Sequence, residues 1–371
     1  MRKYTIIILG MLLGYSFVKA QTNIPSDLQS TKSTVALYRN LKKQLQKGVM
    51  VGHQDALAYG IGWYGQSGKC DVKDASGSYP AVFGWDLGGI EHGKAFNLDS
   101  VSFGEMRKYA QKVYRMGAVN TFSWHLDNLL TGSNAWDVSS DQVVKNVLPG
   151  EVKHKEFTQW LDQVAGFFLS LKDDKGKLIP VIFRPFHEHT GSWFWWGKKL
   201  CTEEQYKALF TYTVDYLRNA KHVHNLLIAY SSADFSVDTD FVNRYPGDKY
   251  VDVVGFDEYQ YGVTPEVKSK FISSLRYELG FITRFAKEHN KIPALTETGL
   301  ESLPDSTWFT SVLTEALKGY KVSYVLLWRN AYNRENHFYL PYPGHSSVKD
   351  FKQFITLPDV LMQDKVRNLY K

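Results

Sequence analysis

A chain of 371 residues with 44% hydrophobic and 22% charged residues can bury a large core, which argues against disorder and suits one big domain or two ordinary ones. The net charge of +6 is dispersed, with acids between the lysines and arginines and no basic run that would track phosphates, so nucleic acid is a poor partner. Aromatic residues reach 15%, and because aliphatics suffice to fill a core, the excess points to rings kept for a ligand.

In chain order, Arg2 and Lys3 precede an apolar run over residues 5–18, and Val18-Lys19-Ala20 presents a cleavage site, which predicts a signal peptide over residues 1–20 and a mature chain from Gln21. The run is short for a membrane span, and no cysteine follows it to take a lipid. The expected location is outside the cytoplasm, periplasmic or secreted. Cys70 and Cys201 either pair in such a compartment or stay separate thiols, and the sequence leaves both open. No later apolar stretch of about 18 residues suggests a membrane span, and no Pro/Ser/Gly-rich linker divides residues 21–371, which read as one domain and a monomer.

A short apolar strand, a loop and an amphipathic helix then recur. The predicted strands are 48-GVMVGHQ-54, 80-PAVFGWDL-87, 118-AVNTFSWH-125, 180-PVIFRPFHE-188, 226-LLIAYSS-232, 251-VDVVGFDEY-259, 291-KIPALTETG-299 and 322-VSYVLLWRN-330. Between them, Ser102 with Glu105 and Thr202 with Gln205 read as capping boxes, and Thr264-Pro265-Glu266 opens a helix whose apolar face runs through Val267, Phe271, Leu275, Leu279, Ile282 and Phe285. Eight apolar strands alternating with helices predict an α/β fold, a closed (β/α)₈ TIM barrel in a single domain. An open doubly wound sheet would carry a glycine-rich phosphate loop after its first strand, and 52-GHQDALAYG-60 is not one.

In such a barrel the chemistry sits at the C-terminal strand ends. Two glutamates stand out there, Glu188 ending the fourth strand and Glu297 the seventh, each following an apolar run where a charge is costly. Paired carboxylates across a barrel mouth suit glycoside hydrolysis, one protonating the leaving oxygen and the other attacking the anomeric carbon; the competing reading is burial against Arg184 or Arg329. Trp193, Trp195, Trp196 and Trp328 offer flat faces for sugar C–H groups. His187-Glu188-His189 lacks the spacing of a helical zinc motif and would point its histidines away from Glu188 along an extended strand, so no metal and no cofactor is expected. No Gly-x-Ser-x-Gly elbow is present.

The sequence resembles family 26 of the glycoside hydrolases, mostly retaining β-1,4-mannanases on a (β/α)₈ barrel, over nearly all of the mature chain. The segment 184-RPFHEHTGSWFWWG-197 is similar to the family's acid/base region and implies Glu188 as acid/base, with His187 and Trp193 as substrate contacts. Likewise 295-LTETG-299 implies Glu297 as nucleophile, and 255-GFDEY-259 implies Tyr259 as the hydroxyl orienting it, with Asp257 nearby. The segment 327-LWRNA-331 implies Trp328 under the reacting sugar, with Arg329 as a cationic neighbour of the nucleophile, and 123-SWHLDN-128 implies His125 on the non-reducing side, beside Trp124. His189 departs from the family pattern, where many members carry a methionine or another apolar residue, and this would alter a subsite. Within the family, the long loops 59–79 and 128–153 would wall off one end of the cleft and favour short products such as mannobiose. The implied substrate is a β-mannan polysaccharide or manno-oligosaccharide. A relative acting on mixed-linkage β-glucan or β-1,3-xylan would keep both glutamates, whereas a non-catalytic carbohydrate-binding barrel would have lost one.

Overall fold

A computed structural model describes residues 23–371; the expected signal peptide lies outside the described residues. Eight parallel strands, β1 (Val49–Gln54), β2 (Val82–Asp86), β3 (Val119–Trp124), β4 (Val181–Pro185), β5 (Leu226–Ala233), β6 (Val253–Gln260), β7 (Ile292–Leu300) and β8 (Tyr324–Leu327), pair in chain order, and β8 returns to β1 with Met50 opposite Tyr324, closing the barrel. Nearly every residue of these strands is buried, which is why they read as continuous apolar runs rather than alternating ones.

Two apolar layers result. Inside the barrel, Met50, Val82, Val119, Ile182, Leu227, Val253, Ile292 and Leu326 form the floor, closed from below by Leu37 and Leu41 of the first helix and by Leu361 and Leu369 near the C-terminus. Outside, the opposite strand faces meet the helices in a larger cluster. With the floor apolar, charged inward residues are confined to the upper strand ends, where the site forms.

Local signals explain much of the frame. Thr202 and Gln205 form the expected capping box, and Thr264 caps Pro265–Glu288 with proline at the first helical turn. Ser102 does not cap with its side chain; it precedes Phe103–Arg115 while bridging to Phe96 in extended pairing. The fourth strand ends at Pro185 rather than at Glu188, because Phe186 and Glu188 both adopt positive φ, 51° and 53°. Such left-handed backbone in non-glycine residues is costly and concentrates at functional sites. Cys70 and Cys201 are separate, buried thiols. Among the described residues no helix is long and apolar enough to cross a membrane.

Candidate active site

Strands β4, β6 and β7 build the centre. Arg184 of β4 is buried and spans two acids: its Nη1 donates to Asp257 Oδ2 of β6 at 2.7 Å, and its Nη2 donates to Glu297 Oε1 of β7. The second oxygen of Glu297 accepts from the Tyr259 hydroxyl at 2.8 Å. Thr296 donates to Asp257 Oδ1 at 2.5 Å, and a register shift between β6 and β7 at this point makes room for it. Gly255, one residue pair below Asp257, is needed for the same reason, since a Cβ there would stand 2.7 Å from Thr296 Cγ2. Glu297 is therefore fixed at both oxygens, with its charge countered by a guanidinium rather than by solvent.

Glu188 faces the opposite electrostatics. It is half-buried, and the partner found for its Oε2 is the Trp193 indole N–H at 2.6 Å. Burial first, then the charges of Asp257 and Glu297, raise its carboxyl well above the usual carboxylate range, against the pull of Trp193 and Arg184. One carboxyl raised toward its protonated form beside one paired with an arginine is the contrast that acid-assisted displacement uses.

A histidine pair flanks the glutamates. His125 Nδ1 is held by Asp86 Oδ2 at 2.7 Å, and His125 Nε2 lies 3.2 Å from His187 Nε2. Burial opposes charge on His125, but Asp86, Glu297 and Asp99 outweigh it and its pKa is raised; burial, Arg184 and His125 push His187 well below the usual histidine range. Trp136, 47% exposed, stacks on His125 with centroids 5.1 Å apart, and half-buried Trp328 meets the same ring edge-on at 6.5 Å.

The sequence profile of glycosyl hydrolase family 26 matches residues 26–309. The chain belongs to that family. A family 26 β-mannanase from Bacteroides ovatus is 48% identical, with a TM-score of 0.89 over 92% of this chain and 98% of that one. A modular endo-β-1,4-mannanase from Cellulomonas fimi is 31% identical, with a TM-score of 0.84 over 94% of this chain and 80% of that one. A mannan endo-1,4-beta-mannosidase of Bifidobacterium adolescentis is 35% identical over 92% of this chain, which spans only 35% of that protein's length.

Within this family 26 chain the sequence-predicted residues divide. Glu297, Tyr259 and Asp257 are joined through direct bonds and Arg184, Glu188 is joined to Trp193 and His187 to His125, and Trp328 stands beside His125. Trp124 is wholly buried and donates from Nε1 to Glu91 at 3.0 Å, so it holds a loop rather than covering a sugar. Trp195 and Trp196 are also wholly buried; their indoles donate to the carbonyls of Leu126 and His187, bracing the loop from behind. Of the four proposed platform rings, Trp193 and Trp328 thus keep accessible surface. Arg329 is not the cation on Glu297: it pairs with Asp99 at 3.0 Å and donates to the Tyr59 hydroxyl. His189 points away from the cleft, buried between Tyr206 and Tyr230, so the departure at this position falls behind the site and not in a subsite.

The sequence names Arg184 only as a competing buried partner of the glutamates, which the structure bears out for Glu297, and it does not assign Asp86 or Trp136 to the site. A cation inside the apolar strand Val181–Pro185 was the available signal for Arg184; Trp136, in the loop after β3, carried none. His187, Asp257 and Glu297 place ligand atoms within 4.8 Å of one another, but Arg184, Tyr259 and Thr296 already occupy the carboxylate oxygens where a cation would bind. Glu91, His92 and Asp127 form a second such group, where Glu91 accepts from the Trp124 indole and from the backbone N–H groups of Gly89 and Asp127.

Two consequences can be measured. Replacing Arg184 with Met strands two buried acids and should cost about 3–5 kcal/mol in denaturant unfolding; a loss below about 1 kcal/mol would mean that the pair is solvated. Trp193→Phe keeps an exposed ring but removes the N–H that lowers the Glu188 pKa. The alkaline limb of the kcat/KM profile should therefore move to higher pH in a folded enzyme, and an unmoved limb would separate Trp193 from the titrating acid.

Proposed function

We propose that the protein is a retaining β-1,4-mannanase that cleaves mannan, galactomannan or glucomannan by double displacement. The observation that carries the reading is the contrast between the two glutamates: Glu297 gripped by Arg184 and Tyr259, and Glu188 pushed toward its protonated form beside Trp193. The β-mannanases among its relatives support the substrate class.

In the first step the mannosyl unit lies over Trp328, with His125 and His187 toward its hydroxyls. Glu297 attacks the anomeric carbon while Glu188 gives its proton to the departing glycosidic oxygen. The bond to the leaving sugar breaks and a glycosyl ester on Glu297 forms. Glu188, now a carboxylate, takes a proton from water in the second step; the water oxygen displaces Glu297 and the β configuration returns. The long loops 59–79 and 128–153, which carry the exposed rings Tyr64 and Trp136, are the basis for expecting short products such as mannobiose.

The enzyme acts outside the cytoplasm as a monomer. N-terminal sequencing of the exported protein should begin near Gln21, and retention of residues 1–20 would refute the leader. A substrate panel tests the activity: mannan should be hydrolysed with the β-anomer appearing first by proton NMR, and preference for mixed-linkage β-glucan or β-1,3-xylan would replace the mannanase reading.

A further inference from the structure

A cavity of about 270 Å³ opens beside Glu188 and Trp193 and runs outward between the tops of β5 and β6 and the start of Pro265–Glu288. Asp234, Glu258, Lys270 and Ser274 line it. None of His125, Trp136 and Trp328, the rings gathered on the other side of the glutamates, belongs to its wall. Its size is just below the range of about 300–1,000 Å³ common for ligand pockets, so it suits one ring rather than a length of chain.

The wall chemistry is mixed. Glu258 Oε2 and Glu278 Oε2, behind it, are both buried without a hydrogen-bond partner from elsewhere. Burial and the neighbouring Glu258 push the Glu278 pKa up to about 12, and burial raises that of Glu258 as well. Glu258, which accepts from the Ser274 hydroxyl, and Asp234 offer acceptors at the wall, and the Lys270 ammonium offers a donor. Interleaved acceptors and donors with one ammonium suit a neutral polyol better than a cation or an anion.

We propose that this cavity receives a single hexosyl branch carried on O6 of the departing sugar. The inference rests on the mannanase reading, because it takes Glu188 as the acid that protonates the leaving oxygen. A pocket bordered by that acid and by Trp193, away from the His125 side, lies next to the sugar that leaves. An O6 substituent hangs from a rotatable exocyclic bond, which lets it swing out of the main-chain line. The enzyme therefore cleaves next to branched units that a closed wall would reject.

The test compares mannopentaose with mannopentaose bearing one α-galactosyl branch at a defined unit. Wild type should cut the bond that leaves the branched unit at the new non-reducing end of the released fragment. Ser274→Phe, which fills the cavity, should lower the branched-to-unbranched kcat/KM ratio about tenfold or more, with the unbranched substrate little changed. Asp234→Ala, at an exposed position and safe for folding, should lower the same ratio about threefold. An unchanged ratio in folded Ser274→Phe or in Asp234→Ala, or no cut at that bond by wild type while mannopentaose is hydrolysed, overturns the pocket assignment alone. Failure of wild type on both substrates overturns the mannanase reading and this inference with it.

Discussion

Glu297→Ala is expected to lower kcat on mannan by about 10⁴–10⁶-fold, the scale of losing a covalent nucleophile, in a protein that still folds. Folding should survive because Arg184 keeps its bond to Asp257 when Glu297 is truncated, so the guanidinium is not left unpaired. No second carboxylate can take over: Asp257 is held by Arg184 and Thr296, and Glu188 is needed as the acid. Circular dichroism should match wild type while activity is lost. Activity within about tenfold of wild type would place the nucleophile elsewhere.

Glu188→Ala should lower turnover on mannan by about 10²–10⁴-fold, the usual contribution of a general acid. The sharper prediction concerns the leaving group. An activated aryl mannoside departs as a weakly basic phenolate that needs little protonation, so its first step should lose much less than mannan hydrolysis does. The pH profile should change as well. Because the carboxyl is raised by burial and by the charges of Asp257 and Glu297, wild-type activity should fall as pH climbs through its pKa, and the variant should lack that limb. Equal losses on both substrates with an unchanged profile would reduce Glu188 to a structural role.

The barrel and its two glutamates were legible in the sequence because both follow from one-dimensional pattern: doubly buried strands are continuous apolar runs, and a charge ending such a run is conspicuous. Orientation was less legible. Trp124, Trp195 and Trp196 lie in the same short segments as His125 and Trp193, yet their rings turn inward to satisfy buried acceptors, and residue spacing carries no sign of that. The positive φ values at Phe186 and Glu188 break the extended geometry that would have set the directions of His187 and His189. The choice between Arg184 and Arg329 as the partner of Glu297 depended on which strand faces it across the barrel. Both cations sit at strand ends, and only closure of the sheet brings β4 opposite β7 while sending Arg329 to Asp99.

Attack of Glu297 on the sugar can be read from a peptide map of the enzyme after incubation with a 2-fluoro-mannosyl donor bearing an activated leaving group. The fluorine slows both steps and the good leaving group restores the first, so the covalent intermediate accumulates. One added 2-fluoro-mannosyl unit is expected on the peptide containing Glu297, and a label on any other residue, or none from an enzyme that hydrolyses mannan, would remove Glu297 as the nucleophile.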